Sequence, residues 1–529
     1  LPLYDVHWTP AIVVAARKGE GLRVGLADGR VLALAAGAGA RKGLQLHDVV
    51  YVRLAEKKGA RAELRVRPEV QGAVAVLDNA SGAILALAGS FSYPLSQLNR
   101  ATQSQRQPGS TFKPLSYLAA LRKGLQPNTI VRDTPLTLPP IGGDGRLGGT
   151  PGILADRYAR EKDYWSPRNY GGGSAGALTL RRALEHSKNL VTANLLDGAI
   201  DEAAEKSLDR VCELALEAQL YKECMRYYPF VLGAQPVRLV DLTAFYAAIA
   251  NEGARPAPHV IASIEQNGRT VYRNETAPVW LGSADRAAFY QLKSMLQGVV
   301  QRGTGSAIKH LAPYVAGKTG TSDEENDAWF IGFTNEVTVG VWVGYDNAEG
   351  KRRTLGPGQT GGKVAVPIFE PVMRAVWAHH APRTALAPPS VEARRHLVAV
   401  PINLHTGDPL PGGSPNAFVE YFRLDRSGRV AETQYDLVGR EEADALRSFG
   451  APGDGDRGGV WYYGRDYSYV PQGSYVPNGF PAPGSVFQAP PRRSPGLFGL
   501  FGEPRWWDHE ERRPRRIDPD YFWGRRQYN

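Results

Sequence analysis

Residues Arg106 to Leu121 read RQPGSTFKPLSYLAAL. A Pro-Gly pair leads into an apolar pattern of helical period, and Ser110 and Lys113 stand three positions apart where that pattern begins. Side chains three apart on a helix share a face, so the two polar groups can touch. A serine hydroxyl is a poor nucleophile at neutral pH unless something accepts its proton. A neutral lysine amine can do so, and burial together with nearby cationic charge would depress the Lys113 pKa far enough. At a helix entry Ser110 also gains free backbone N–H groups and the positive end of the dipole. Pro114 is tolerable there because first-turn N–H groups have few helical partners. One Ser-Lys pair decides little, since most such pairs are solvated helix surface.

Two further motifs change its weight. His186-Ser187-Lys188-Asn189 supplies an SxN, and Gly317-Lys318-Thr319-Gly320-Thr321 supplies a KTG followed by threonine. Alone, the SxN would read as a helix N-cap or a solvated polar face. In this order, at gaps of roughly 80 and then roughly 130 residues, the three motifs form the set used by penicillin-binding proteins and class A β-lactamases. The segments RATQSQRQPGSTFKPLSYLAAL, YWSPRNYGG, LTLRRALEHSKNLVTANLL, LQGVVQRGTG, AGKTGTSDEENDAWFIGFT and VGVWVGYDN resemble, in order, the transpeptidase domain of class A penicillin-binding proteins.

That resemblance covers about residues 70 to 380. It implies an α+β penicillin-recognition fold, serine β-lactamase-like, with an antiparallel sheet flanked by helices. It implies D,D-transpeptidation of peptidoglycan stem peptides through an acyl-enzyme on Ser110, with β-lactams as covalent inhibitors. Lys113 would take the serine proton, Ser187, between Lys113 and Lys318, would relay a proton to the leaving amine, and Asn189 would hold the substrate amide and orient Lys113. Thr319, Gly320 and Thr321 would bind substrate on an edge strand, with the glycine admitting the peptide as an added strand. The tetrahedral oxyanion needs preorganised donors, for which the backbone N–H groups of Ser110 and Thr321 are the candidates. No metal or other cofactor enters this chemistry.

Working outward, residues 1–68 carry short β patterns, AIVVAA, GLRVGLADGRVLAL and DVVYVRL, with Asp28-Gly29 as a hairpin turn. They predict a small β-barrel or sandwich, and they resemble the OB-like domain that precedes the transpeptidase in 1A-type members. QGAVAVLDNASGAILALAG predicts a hairpin turning at Asn79–Gly82. Helical patterns follow in STFKPLSYLAALRKG, LTLRRALEHSKNLVTANLLDGA, VRLVDLTAFYAAIANEG with Gly253 as a stop, and AAFYQLKSMLQGVVQRG. The period then changes to two in WFIGFTNEVTVGVWVGY, a second hairpin. Strands from both ends of residues 69–385 would close one sheet. A β-rich extension is expected over 386–448, around HLVAVPINL and FVEYFRL. The Gly-, Pro-, Tyr- and Arg-rich tail 449–529 is expected to be disordered, with EPRWWDHEERRPRR as a candidate docking arm.

The chain has 529 residues, too many for one compact core, and its 43% hydrophobic and 22% charged content is that of ordinary globular protein. A formal charge of +10 favours anionic partners. Nucleic acid is set aside, because there is no RNP signature, zinc-finger spacing or P-loop. Cys212 and Cys224 leave a local disulfide and two thiols equally open. No run reaches the ~20 apolar residues of a membrane span, and LPLYDVHWTP is no signal peptide. The chain reads as entered partway. The resemblance places the full protein at the periplasmic face of a bacterial inner membrane, anchored by a preceding segment and carrying a glycosyltransferase domain, with cell-wall regulators as further partners.

Rival readings share these motifs. A D,D-carboxypeptidase would pass the acyl group to water, a class A β-lactamase would need a deacylating glutamate in an ExxLN-like segment that is not found, and a noncatalytic sensor would have lost a motif. His186 suggests a histidine triad, but no acid stands behind it. His379-His380 lacks metal-ligand spacing. Trp165, Tyr170 and Trp329 are read first as packing residues with the cleft as the alternative, and the Asp-Glu-Glu run after KTGT as a solvated loop.

Overall fold

The computed structural model describes residues 8–16, 21–37, 41, 43–54, 61–94, 96–141, 164–346 and 353–431. The tail 449–529 and the last part of the expected β extension lie outside them.

Five strands, β1 (Thr9–Ala15), β2 (Arg23–Leu26), β3 (Val31–Ala35), β4 (Val49–Leu54) and β5 (Arg61–Arg65), close into a barrel. Their order around it is β1-β2-β3-β5-β4, with β3 and β5 parallel and the other pairs antiparallel. This is the connectivity of an OB-like barrel. Alternation explains the filling: Ala11 and Val13 point inward beside Val24, Leu34, Val52 and Ala62, while Ile12 and Val14 face outward.

The main sheet draws on both ends of the following region. β6 (Gln71–Asp78) and β7 (Ile84–Ala88) form the first hairpin. Much later come the strands 316–321, 327–333 and 337–344, and the antiparallel order across the sheet is 316–321, 327–333, 337–344, β6, β7. The strand carrying KTGT is therefore an edge.

Both faces of this sheet are buried, which accounts for the nearly unbroken apolar runs. Trp329, Ile331, Phe333 and Trp342 pack into one core, and Ala328, Phe330, Val339, Val341 and Val343 into another. On the first face lie the helices α1 (Lys113–Arg122), α2 (Leu180–Glu185), α3 (Asn189–Asn194), α4 (Ala204–Glu217), α5 (Leu239–Ala250) and α6 (Arg286–Arg302). The short α7 (Gly361–Val364) leads into α8 (Val366–His379), whose Val366, Phe369 and Met373 cover the second face.

α1 is buried from Lys113 to Leu121, so it is a central helix rather than a surface one. α5 ends where Gly253, at φ +111, turns its N–H back to the Ala248 carbonyl at 2.7 Å. The pattern expected as one helix over LTLRRALEHSKNLVTANLL is broken in two. Ser187, at φ +58, turns the chain between α2 and α3 and presents the SxN as a corner. α4 and α8 were not among the expected helices. Cys212 and Cys224 form a disulfide across a Cα separation of 5.7 Å, which resolves the open alternative.

The strands 397–402 and 418–423 pair as an antiparallel hairpin against α6 and α2. Arg181 on α2 meets Glu420 there in a bidentate pair of 2.5 and 2.6 Å, both side chains buried.

Candidate active site

The turn that carries Ser110 is pinned from several sides. Trp329 Nε1 donates to the Gln107 carbonyl at 2.9 Å, and Arg106 Nε donates to Asp327 Oδ1 at 2.8 Å. Thr111 Oγ1 donates to the Pro108 carbonyl at 2.7 Å, and Tyr246 Oη to the Thr111 carbonyl at 2.7 Å. Gly109 takes φ +51, and a side chain there would run into the Thr321 carbonyl. In return, a Cβ on Gly320 would lie 2.5 Å from the Pro108 carbonyl oxygen and 2.8 Å from Thr111 Cγ2. The KTG glycine thus allows the serine turn to seat against the strand, a requirement of the protein itself in addition to any need of a substrate peptide.

Ser110 stands in a short 3-10 turn, Gly109–Thr111, just ahead of α1, and Pro114 occupies the first turn of that helix. Among the described residues, Ser110 Oγ makes no hydrogen bond. Lys113, one turn inward and fully buried, donates to the Ser187 carbonyl at 2.5 Å, to Asn189 Oδ1 at 2.6 Å and, at 3.3 Å, to Ser187 Oγ. Lys318 arrives from the edge strand, also fully buried, and donates to the same Ser187 Oγ at 2.8 Å and to the Thr319 carbonyl at 3.1 Å. One hydroxyl is therefore shared by two lysines from different elements. The left-handed backbone at Ser187 is an uncommon state for a non-glycine residue, and it turns both the carbonyl and the hydroxyl toward Lys113.

Burial depresses both amines. Desolvation pushes Lys113 well below the ordinary lysine value; the nearby Lys318 and Lys188 charges add to this, and Asp133 opposes it. Desolvation brings Lys318 down to about 7. Around neutral pH the pair can hold and exchange a proton without both being charged.

Strand alternation sends Thr319 and Thr321 away from Lys318. Thr319 Oγ1 lies 2.6 Å from Thr304 Oγ1, and Thr321 Oγ1 accepts the Gly361 N–H at 3.1 Å. Since a hydroxyl both donates and accepts, Thr321 keeps its own proton to offer.

The profile of the penicillin-binding protein transpeptidase domain matches residues 72–143 and 236–374. Over 404 residues the chain is 33% identical to penicillin-binding protein 1A of Rickettsia conorii, covering 72% of this chain and 46% of that protein. The chain belongs to the class A penicillin-binding proteins, as a transpeptidase region. Penicillin-binding protein 1A of Neisseria gonorrhoeae is 32% identical over 396 residues, 70% of this chain and 45% of that protein. The chain thus spans about half the length of these curated relatives. The crystal structure of penicillin-binding protein 1A from Haemophilus influenzae shares the fold, with a TM-score of 0.64 at 24% identity over 82% of this chain and 65% of that one.

Against this family background, sequence reasoning missed several residues around the site. Asn169, within the family-like YWSPRNYGG, accepts from the backbone N–H groups of Asn189 and Leu190 at 2.8 and 3.1 Å and so caps α3. Its amide donates to Asp133 Oδ1 at 2.8 Å. Thr304 comes from the family-like RGTG. The Asp-Glu-Glu run is more than a solvated loop: Glu324 and Glu325 take φ of +57 and +50, and the Glu325 carboxylate accepts from Tyr170 Oη at 2.7 Å and from the Gly358 N–H at 3.3 Å. Trp329 is core, Trp165 stacks on Tyr228, and Tyr170 is exposed. His186 ends α2.

Proposed function

We propose that this chain is a serine D,D-transpeptidase that cross-links peptidoglycan stem peptides and is acylated by β-lactams. The observation that carries the reading is the Ser187 hydroxyl, 2.8 Å from Lys318 Nζ and 3.3 Å from Lys113 Nζ, one helical turn from Ser110. Ser110 attacks the penultimate D-Ala carbonyl while Lys113 takes its proton. A neutral amine has two N–H bonds, and the short contacts to the Ser187 carbonyl and Asn189 Oδ1 use both; the charged form's third, longer donation to Ser187 Oγ is given up, leaving the lone pair for Ser110. The proton passes through Ser187, held by Lys318, to the departing D-Ala amine. The backbone N–H groups of Ser110 and Thr321 take the oxyanion. The Thr319 and Thr321 hydroxyls receive the terminal carboxylate, Lys318 lending its charge across the strand, and the donor peptide pairs along Gly320 on the open strand edge. An acceptor amine then attacks the acyl carbon and displaces Ser110 Oγ, the proton it loses returning through Lys113 to the serine. No metal or cofactor has a part.

In this reading residues 1–68 form the OB-like unit, 69–385 the catalytic unit and 386–448 an extension, whose strands 397–402 and 418–423 pack on the catalytic unit. The protein works at the periplasmic face of the inner membrane with cell-wall regulators as partners. Among the described residues no helix is long and apolar enough to cross a membrane.

The test supplies a stem-peptide donor ending in D-Ala-D-Ala together with an amine acceptor, and resolves the products by mass. Cross-linked dimer that disappears in Ser110→Ala supports the reading. Hydrolysed donor alone, at every acceptor concentration, would assign a D,D-carboxypeptidase instead.

A further inference from the structure

Behind the lysine pair lies a buried carboxylate that the reaction as written does not use. Asp133 ends the strand Ile130–Asp133 and has no exposed surface. Its Oδ1 accepts from Asn169 Nδ2 at 2.8 Å, its Oδ2 from the Ala175 N–H at 2.7 Å, and Lys188 Nζ lies 3.7 Å from Oδ2. Asn169 in turn holds the N–H groups of Asn189 and Leu190, and Asn189 Oδ1 holds Lys113. Asp133 is therefore joined to the base through Asn169 and Asn189, by hydrogen bonds throughout.

A buried charge is costly unless it is paired and hydrogen-bonded, so a carboxylate at this position calls for a reason. The groups around it supply one. Lys113 on α1 feels its charge, and Lys188 faces it from the start of α3; Lys318, on the edge strand, acts on Lys113. Tyr117, one turn beyond Lys113 on α1, is pushed up by burial and stays un-ionised. Two lysines thus share a single acid.

We propose that Asp133 is a positioning residue for acylation of Ser110: through Asn169 it holds the Ser187–Asn189 corner, and against Lys188 it sets the balance of charge felt by Lys113. This rests on the transpeptidase reading above. Asp133 favours the charged form of Lys113 and Lys188 disfavours it. Removing either charge should move the pH at which Lys113 becomes a base, in opposite directions.

The experiment follows acylation of the purified full chain by a fluorescent penicillin across pH, for the wild type, Asp133→Asn and Lys188→Met. The acidic limb of the rate profile should move to lower pH by about one unit in Asp133→Asn and to higher pH by about one unit in Lys188→Met. A residue that only supports the fold would lower the rate at all pH values with the limb unmoved, and that result overturns the proposal. If Asp133→Asn does not fold, Lys188→Met decides alone: an upward move supports the proposal and an unmoved limb overturns it. No labelling of the wild type overturns the acylation reading itself, whereas labelling with unmoved limbs overturns this proposal only.

Discussion

Lys113 and Lys318 share the Ser187 hydroxyl, yet their other contacts differ. Lys113 is tied to the SxN corner by its two shortest bonds, while Lys318 rides on the open strand edge where a carboxylate would arrive. Lys113→Ala should therefore slow acylation at every pH, and Lys318→Ala should act mainly on ligands that carry the terminal carboxylate. Acylation rates with matched ligands, with and without that group, check the division; equal losses for both would contradict it. Lys318 also predicts a stability profile. Its amine titrates near 7 when folded and near 10.5 when exposed, so between those values the unfolded chain binds more protons than the folded one. Stability supplied by this residue rises with pH across that window and is lost as pH falls through it. Lys318→Met should raise Tm at pH 7 and flatten the rise toward pH 10, as followed by thermal unfolding.

Elements that depend on local pattern were legible in the sequence. The two hairpins of the main sheet follow from alternation and turn residues, and α1 and α6 from helical period. The break between α2 and α3 was not legible, because the apolar period runs straight through it. What makes the corner is Asn169, arriving from a distant segment to cap α3, and a left-handed Ser187 whose benefit appears only when the lysines are in place. α8 was hidden by Pro367 and Pro371, although the first lies in the opening turn. α4 carries a plain stripe, Leu208, Val211, Cys212 and Ala215, that period alone could have found. The edge strand yields a prediction of its own. Gly320→Ala places a methyl against the Pro108 carbonyl and Thr111, so the serine turn must shift. We expect a loss of about 1–3 kcal/mol in stability and on the order of 10²-fold in acylation. Urea unfolding and penicillin labelling measure the two, and an unchanged acylation rate would show that the turn tolerates displacement.

At the scale of the molecule, the hairpin of strands 397–402 and 418–423 is locked to α2 by Arg181 and Glu420. Glu420→Ala leaves a buried guanidinium without its bidentate partner, which should cost about 3–5 kcal/mol in urea unfolding; no change would mean that Glu185, 3.8 Å away, suffices. The candidate site was largely legible, since SxxK, SxN and KTG stand in order in the sequence and Lys113, Ser187, Asn189 and Lys318 meet in the fold. Asp133, Asn169 and Thr304 required the fold, because single acidic, amide or hydroxyl residues carry no spacing signal. Every role proposed for these residues depends on one covalent event at Ser110. Hydrolysis of an acylated serine requires a positioned base to activate water, and the sequence offers no ExxLN-like deacylating carboxylate for that task. An opened β-lactam also stays tethered where the acceptor would enter. Intact mass spectrometry after removal of free penicillin, with peptide mapping of the adduct, tests this most directly. A single adduct on the peptide containing Ser110, persisting for many minutes and absent in Ser110→Ala, is the predicted result. An adduct on another residue, or rapid return of unmodified protein with accumulating hydrolysed penicillin, would contradict it.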